Sequence, residues 1–216
     1  MSSTDIRAPL LRVKRALRRY SILPITDPES PSLVSYVVGA PVPGSWWGHP
    51  SGGLIYAVGE ALDTDPEVLV VRLWRGKLTL VHARLWPALV RVGRSHAAWQ
   101  MVGMREVERL LLAHVDRETV VRGDRLPPDL PEGLPGFRAA LRGLERRMLV
   151  LTRSVHTSTG AHALEAESWT GWRARLGVPA YRRSVASAQT MIELAAARLI
   201  PGDDPRKSLP WGRRGR

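Results

Sequence analysis

The chain has 216 residues, a hydrophobic content of 44% and no cysteine. This length and apolar content suffice for one large domain or two small ones. The absence of cysteine excludes disulfides, thiolate metal sites and cysteine nucleophiles. The longest charge-poor stretch, residues 30–59, is interrupted by prolines, and no apolar run follows the basic residues near the N-terminus. We therefore expect a soluble, cytoplasmic protein without a signal peptide or a membrane span.

The formal net charge of +12 is unevenly distributed. Positive charge is concentrated in residues 1–20, 67–94 and 201–216. A localised positive field attracts a polyanion, and nucleic acid is the obvious one. Nearly all the basic residues are arginine, so Arg, Ala and Gly enrichment in a GC-rich genome is the alternative explanation. The concentration on a short hairpin favours DNA as the partner.

The first 20 residues are predicted to form a basic, flexible arm that can become helical on contact with an anion. Four apolar residues of this arm have partial helical spacing: Ile6, Leu10, Val13 and Leu17.

The loop Ser45-Trp46-Trp47-Gly48-His49-Pro50 lies at the centre of the next predicted domain. A short helix capped by Ser32 precedes this loop, and a helix over residues 53–62 follows it. Residues 67–74 and 78–83 are predicted strands, joined by the basic turn Arg75-Gly76-Lys77. Two helices followed by a basic hairpin are typical of a winged-helix domain.

Apolar stripes predict further helices over residues 85–92, 104–115, 137–151 and 181–199. Four prolines and three glycines in residues 122–136 predict a linker. The fold class is therefore α+β and mostly helical, with a winged-helix-like domain, a short β-hairpin and a helical subdomain. The predicted segments are a basic flexible arm (1–20), the winged-helix-like domain (21–121), the Pro/Gly linker (122–136), the helical subdomain (137–200) and a basic flexible tail (201–216).

The segment from His156 to His162 is the best candidate for catalysis, because it combines two imidazoles, three hydroxyls and a glycine. We expect it to precede a helix that bears Glu165 and Glu167. Hydroxyls and free N–H groups at a helix N-terminus bind anions, and a nearby histidine or carboxylate could activate water. The alternative is a structural cap, in which Ser158 or Thr159 caps the helix. The predicted anion-binding residues are Thr157, Ser158, Thr159 and Gly160, and the predicted catalytic residues are His49, His156, His162 and Glu167.

Other catalytic signatures are weak or absent. His162 and Glu165 would share a helical face, but a zinc site needs about three protein ligands. Phosphate loops, dinucleotide fingerprints and a nucleophile elbow do not occur in the sequence. We therefore predict no metal and no cofactor.

Aromatic and basic residues around the hairpin are predicted to contact DNA. Arginines would bind phosphates, and exposed indoles could stack on an unpaired or flipped base. The alternative for the two adjacent tryptophans is that they pin the loop onto the core. The predicted contacts are Trp46, Trp47, Arg72, Arg75, Lys77, Arg84 and Arg91. Trp74 is expected to be exposed at the turn, and core packing is expected for Trp86, Trp99, Trp169 and Trp172.

Three stretches together resemble the short bacterial relatives of the AlkZ/YcaQ winged-helix DNA glycosylases: VPGSWWGHPSGGLIYAVGEAL at 42–62, LVHARLWPALVRVG at 80–93 and VHTSTGAHALEAESW at 155–169. The resemblance implies tandem winged helices and the excision of bulky alkylated purines and interstrand crosslinks. The family's catalytic element is a glutamine, a hydrophobic residue, then glutamine or aspartate. Neither Gln100-Met101-Val102 nor Gln189-Thr190-Met191 matches it. Glycosylase catalysis therefore cannot be transferred residue by residue.

Three functions are compatible with these observations. The first is a DNA-binding winged-helix protein similar to base-excision repair glycosylases, acting on duplex or damaged DNA. The second is a non-catalytic winged-helix binding or regulatory module. The third is a small-molecule enzyme centred on residues 156–169. The sequence leaves open the oligomeric state and whether residues 42–50 and 156–169 form one site.

Overall fold

A computed structural model of the chain describes residues 5–126, 128, 130, 133–157 and 160–212. The fold is α+β, as predicted. The helices are α1 (Arg7–Tyr20), α2 (Leu33–Val38), α3 (Gly52–Asp63), α4 (Trp86–Gly93), α5 (Ala98–Met101), α6 (Glu106–Glu118), α7 (Gly133–Arg146), α8 (Trp169–Arg175) and α9 (Val185–Ala197). The strands are β1 (Ile22–Pro24), β2 (Val68–Arg72), β3 (Leu78–His82), β4 (Val120–Arg122), β5 (Val150–His156) and β6 (His162–Ser168). Within the described residues, none of these helices has the length and apolar character needed to cross a bilayer.

The chain divides into two compact units. The first unit contains the residues up to Trp86 and those from Thr190 onward, and the second unit is Pro87–Gln189. The division differs from the predicted boundaries at 121 and 136. Strand β4 pairs with β6, with Val121 opposite Ala166, so the predicted linker begins inside a sheet of the second unit. The predicted helical subdomain likewise contributes two strands to that sheet.

In the first unit, α1 and α3 pack on a three-stranded antiparallel sheet with the order β1-β3-β2, and α2 packs on these two helices. In the sheet, Leu80 of β3 lies opposite both Leu23 of β1 and Val70 of β2. Helix α1 buries Val13 and Leu17 completely or nearly so in the core. The expectation of a flexible arm is therefore corrected for residues 7–20. Residues 1–4 lie outside the described residues.

Local signals of the first unit are confirmed. The Ser32 hydroxyl accepts a 3.1 Å hydrogen bond from the N–H of Ser35, so it caps α2 as expected. The helix ends at Gly39, whose φ of 94° is a left-handed conformation that glycine adopts without strain. Helix α3 and the hairpin of β2 and β3, called here the first hairpin, also form where predicted.

The second unit repeats this plan with a sheet of order β4-β6-β5. Helix α6 ends at Thr119, whose φ is 64°, and the chain enters β4 at once; Ser21 makes the same transition between α1 and β1 with a φ of 70°. Strands β5 and β6, called here the second hairpin, pair antiparallel along their whole length. Helices α6 and α7 approach closely at Gly143, where an added Cβ would lie 1.9 Å from Oε1 of Glu108.

The described part of the predicted flexible tail is packed. Leu209 is fully buried, and the indole Nε1 of Trp211 donates a 2.8 Å hydrogen bond to Glu193 of α9. Residues 213–216 of that tail lie outside the described residues.

Three of the tryptophans expected in the core are buried: Trp86, Trp169 and Trp172. Trp99 is half-buried. The Trp169 indole fits against Gly93 of α4, where an added Cβ would lie only 2.3 Å from Nε1. Its Nε1 donates a 2.8 Å hydrogen bond to the carbonyl of Met148. This tryptophan therefore fastens the end of the second hairpin to the core of its unit.

Candidate nucleic-acid interface

Two adjacent tryptophans and a tyrosine form an aromatic cluster at the start of α3, defined here as Trp46, Trp47 and Tyr56. The two indoles stack with centroids 4.3 Å apart at 21°, and Tyr56 lies 6.2 Å from Trp47. The Ser45 hydroxyl accepts a 3.4 Å hydrogen bond from the N–H of Trp47 and caps the 3₁₀ turn that carries both rings. Trp46 is half-buried, whereas Trp47 is 70% exposed. The loop is therefore held by Trp46 and presents Trp47 to solvent.

His49 has a structural role in the same loop. Its Nδ1 accepts a 3.0 Å hydrogen bond from the N–H of Ser51, just before α3 begins. The ring is half-buried. The Nδ1 atom is therefore occupied by the backbone N–H of Ser51, and only Nε2 could contact a substrate.

The cations at the tip of the first hairpin are paired within the protein. The guanidinium of Arg75 lies 3.5 Å from Oδ1 of Asp27 and also contacts Glu29, and Nζ of Lys77 lies 3.6 Å from Oδ2 of Asp27. Arg75 further donates a 3.3 Å hydrogen bond to the hydroxyl of Ser208. The sequence predicts that both cations bind phosphate. In the structure both pair with the buried Asp27 carboxylate, and Arg75 also pairs with Glu29.

The turn also places Trp74 differently from the expectation. Its indole is 1% exposed, not the exposed ring predicted for the turn. Arg75 adopts a φ of 50°, and this left-handed residue completes the turn after Trp74. The indole Nε1 donates a 3.0 Å hydrogen bond to Asp27. Burial of this polar group is therefore compensated by a charge-assisted bond.

The remaining predicted DNA contacts are dispersed. Arg72 is half-buried and donates to the carbonyl of Gly76 at 3.4 Å, and Arg84 donates to the carbonyl of Arg18. Arg91 is exposed on α4 and belongs to the second unit. The seven predicted contacts thus fall in both units.

The segment between His156 and His162 is the tip of the second hairpin, not the N-terminus of a helix. The two histidines lie opposite each other as the last pair of the β5–β6 ladder, and the N–H of Thr157 donates to the carbonyl of Ala161 at 2.8 Å. The helix expected after this segment is therefore wrong, because residues 162–168 form strand β6. Anion binding by Thr157 and Gly160 stays a prediction, and the alternative cap falls on Ser158 and Thr159. Ser158 and Thr159 lie outside the described residues.

Within the second unit, the candidate catalytic histidines and Glu167 lie on different parts of the sheet. His49 belongs to the first unit and the other three to the second. His156 and His162 are exposed with ring centroids 4.3 Å apart, and His162 Nδ1 lies 3.3 Å from the Ser154 hydroxyl. Glu167 is five residues from His162 on the same strand, so it faces the opposite side of the sheet about 16 Å away.

The Glu167 carboxylate is engaged in an ion pair. It is only 5% exposed and accepts hydrogen bonds of 3.0 and 2.7 Å from Arg175, which raise the pKa of that guanidinium. Glu165 is buried in the same way and accepts a hydrogen bond from Arg153, its cross-strand neighbour. Both carboxylates therefore stabilise the second hairpin. Within the described parts of the chain, no three His, Asp or Glu side chains gather as a metal-binding group.

Helix α7 carries a feature that the sequence analysis did not assign to binding. Arg138, Arg142 and Arg146 are exposed at four-residue intervals, and they are called here the basic stripe. The opposite face of α7 is buried through Phe137, Ala140, Leu141 and Leu144. Among the described residues, the side chains of the stripe have no acidic partner; Arg146 donates to the carbonyl of Arg142 at 3.2 Å. The stripe spans about 12 Å along the helix axis.

Spacing alone could have identified this stripe. Like charges four residues apart destabilise a helix by about 0.2–0.5 kcal/mol per pair. Three arginines in such a row, with Glu145 as the one acidic residue on the same side of the helix, leave a net positive surface that can meet an anion.

Comparison of the chain with protein-family models, with curated proteins and with solved structures finds no match. The resemblance to the AlkZ/YcaQ family therefore stays a hypothesis that rests on the three stretches quoted above.

Proposed function

We propose that the protein is a DNA-binding protein built from two winged-helix units, and that the second unit makes the main contact with the duplex. The observation that carries the proposal is the basic stripe on α7, the helix that immediately precedes the second hairpin. In a winged helix this helix enters the major groove and the hairpin is the wing.

The order of elements supports winged-helix architecture in both units. Each has a helix, a left-handed residue, a short strand, a further helix and a hairpin, and in each the third strand lies between the first and the second. In the first unit this order is α1-β1-α2-α3-β2-β3, and in the second it is α6-β4-α7-β5-β6.

The charges favour the second unit as the DNA contact. Residues 39–63, which include α3, contain no Lys or Arg, and the cations at the tip of the first hairpin are paired with Asp27 and Glu29. The basic stripe, in contrast, has three guanidinium groups in a row on one α-helix, the element that a major groove roughly 12 Å wide admits. Arginines at such positions displace condensed counterions from phosphates, which supplies affinity without sequence preference.

The tip of the second hairpin adds hydrogen-bonding groups to the unit that carries the stripe. His156 and His162 are exposed there, whereas the N–H groups of Thr157 and Gly160 donate to carbonyls within the loop. An imidazole N–H can donate to a phosphate oxygen, so this tip suits the role of a wing that positions the protein on the backbone.

A non-catalytic binding module is favoured over a glycosylase. Base excision needs a group that orients water close to the extruded base. Glu167 is held by Arg175 on the sheet face opposite to His162, and His49 is used to hold the loop before α3. This arrangement also disfavours a small-molecule enzyme centred on residues 156–169.

A salt series with the full chain tests the proposal. A fluorescein-labelled 20-base-pair duplex is titrated by anisotropy at 50 and 200 mM salt. Three neutralised phosphates predict a fall in affinity of about 40-fold across that range. Arg142→Glu should abolish most of this binding, whereas Arg94→Glu, an exposed arginine outside the stripe, serves as the matched control. Absent binding, salt-insensitive binding or equal effects of the two reversals would overturn the proposal.

A further inference from the structure

The face of α3 that surrounds the aromatic cluster differs in charge from the rest of the protein. Tyr56, Glu60 and Asp63 are exposed at helical spacings of four and three, so they lie on one face. Trp47 extends this face from the preceding loop, beside Tyr56. The result is an aromatic surface at the N-terminal end of α3 and an acidic surface at its C-terminal end.

Both halves of this face are available to a partner. Trp47 is 70% and Tyr56 51% exposed, a large aromatic area to leave in water. Within the described residues, the carboxylates of Glu60 and Asp63 have no hydrogen-bonding or ion-pair partner, whereas the nearby Asp65 and Glu67 are paired with Lys14 and Arg18.

The charge of this face selects the class of partner. The chain has 32 Lys and Arg residues, yet residues 39–63 contain none. A nucleic-acid backbone would meet two unpaired carboxylates here, and like charges brought together suppress binding. A cation is attracted both by the carboxylates and by the faces of the indole and phenol rings.

The length of the face sets the spacing in the partner. Tyr56 and Asp63 are seven residues apart, or about 10 Å along the helix axis. An extended chain covers that distance in about three residues. Proline-containing segments are extended and dock on exposed Trp and Tyr rings with a small loss of entropy.

We propose that this face binds an extended, basic peptide segment of a partner protein. A proline or aliphatic residue packs between Trp47 and Tyr56, and a Lys or Arg about three residues away pairs with Glu60 and Asp63. This site is independent of the DNA-binding proposal, because it uses α3 of the first unit and not the basic stripe. The protein would then couple a peptide-bearing partner to DNA.

Selection from a displayed library of random twelve-residue peptides tests this inference. The full-length protein is the bait, and the variant W47A/E60Q/D63N is used for counter-selection. Enriched peptides should share a proline or aliphatic residue and a Lys or Arg about three positions apart. Synthetic versions should lose at least tenfold in affinity on W47A/E60Q/D63N and at least threefold on E60Q/D63N. The variant L194A, which removes a different exposed apolar side chain, is the matched control and should bind as the unaltered protein does.

Several outcomes would overturn the inference. One is the absence of enriched peptides relative to the triple variant, and another is the enrichment of acidic peptides. A third is that an eight-nucleotide single-stranded DNA binds more tightly than any selected peptide and that this DNA binding depends on Trp47. Self-association that disappears in W47A, measured by analytical ultracentrifugation, would assign the face to a second copy of the chain. Because the replaced side chains are exposed, each variant should remain folded, and thermal unfolding checks this.

Discussion

The indole Nε1 of Trp74 donates a 3.0 Å hydrogen bond to Oδ2 of Asp27, and both residues are almost completely buried. The same carboxylate faces Arg75 and Lys77 from the tip of the first hairpin. A single buried acid thus accepts a hydrogen bond from one indole and pairs with two cations, one of which also pairs with Glu29, and these contacts hold the hairpin tip against the segment before α2. The charge that makes the hairpin look like a DNA-binding element in the sequence is used to stabilise the fold.

Replacing Asp27 by asparagine should therefore destabilise the protein. The variant D27N keeps the shape of the side chain but leaves both cations without their buried counter-charge. We expect the free energy of unfolding to fall by about 1–3 kcal/mol, measured by urea denaturation. The matched control is E29Q, because Glu29 pairs with the same arginine from a side chain that is 68% exposed. A surface pair contributes about 0–1 kcal/mol, so equal losses in the two variants would contradict this role of Asp27.

The close approach of α6 and α7 at Gly143 leads to a second prediction, which concerns the stability of a glycine-to-alanine variant. Exchange of glycine for alanine inside a helix normally stabilises it by about 1 kcal/mol. At Gly143 the added methyl group would collide with the buried Glu108 carboxylate, so G143A should destabilise by about 1–3 kcal/mol. Gly59 of α3 has no neighbour within 4 Å of the corresponding position, so G59A should be neutral or stabilising. Thermal unfolding of both variants measures the difference, and the same sign at both sites would refute the packing described here.

Asp65 predicts a dependence of stability on pH. Burial raises the pKa of this carboxyl, but hydrogen bonds from Lys14 and from the backbone, together with the charges of Lys14 and Arg18, lower it overall below the usual 3.8. A carboxyl with a lowered pKa in the folded state stabilises the fold above the unfolded pKa, and this contribution is lost as the pH falls through the folded pKa.

The variant D65N should accordingly be less stable than the unaltered protein by about 1 kcal/mol at pH 7. The difference should shrink as the pH falls from about 4 through the lowered folded pKa, because the carboxyl is protonated in both states only below that value. Urea unfolding at a series of pH values measures it. D63N removes an exposed carboxylate from the last residue of α3, two positions before Asp65, and should show no such pH-dependent difference. A gap between D65N and the unaltered protein that persists at low pH would argue against the pairing with Lys14.

Local chemistry predicted much of the first unit. The Ser32 cap, the glycine that ends α2 and the apolar stripe of α3 are encoded within a few residues of each other, so they could be recognised without the fold. Helix α1 shows where that approach fails. Its spacing of Val13 and Leu17 is helical, but a short helix is marginal alone, and packing against α2, α3, β1 and β3 makes it part of the core.

The misassigned second hairpin has a similar cause. The run Ala-Leu-Glu-Ala-Glu at 163–167 has a high intrinsic helix propensity, which favours a helix when neighbours are ignored. In the structure it pairs along its length with β5, and Arg153 and Arg175 neutralise its two carboxylates. The groups that make this run a strand, namely β5 and the two arginines, lie outside the run itself, just as Asp27 is distant in the sequence from Trp74. Local patterns therefore predict the helices and strands well. They predict less well which charged side chains remain without a partner.

The salt dependence of DNA binding tests the central claim most directly. Anisotropy titrations of a 20-base-pair duplex over a salt series would compare the unaltered protein with two triple variants. R138Q/R142Q/R146Q removes the basic stripe, and R72Q/R84Q/R91Q replaces three of the contacts predicted from sequence. Each lost phosphate contact should reduce the slope of log affinity against log salt by about 1. We predict a reduction of about 3 for the stripe variant and an unchanged slope for the other triple variant. The reverse pattern, or no detectable binding by the unaltered protein, would contradict the account.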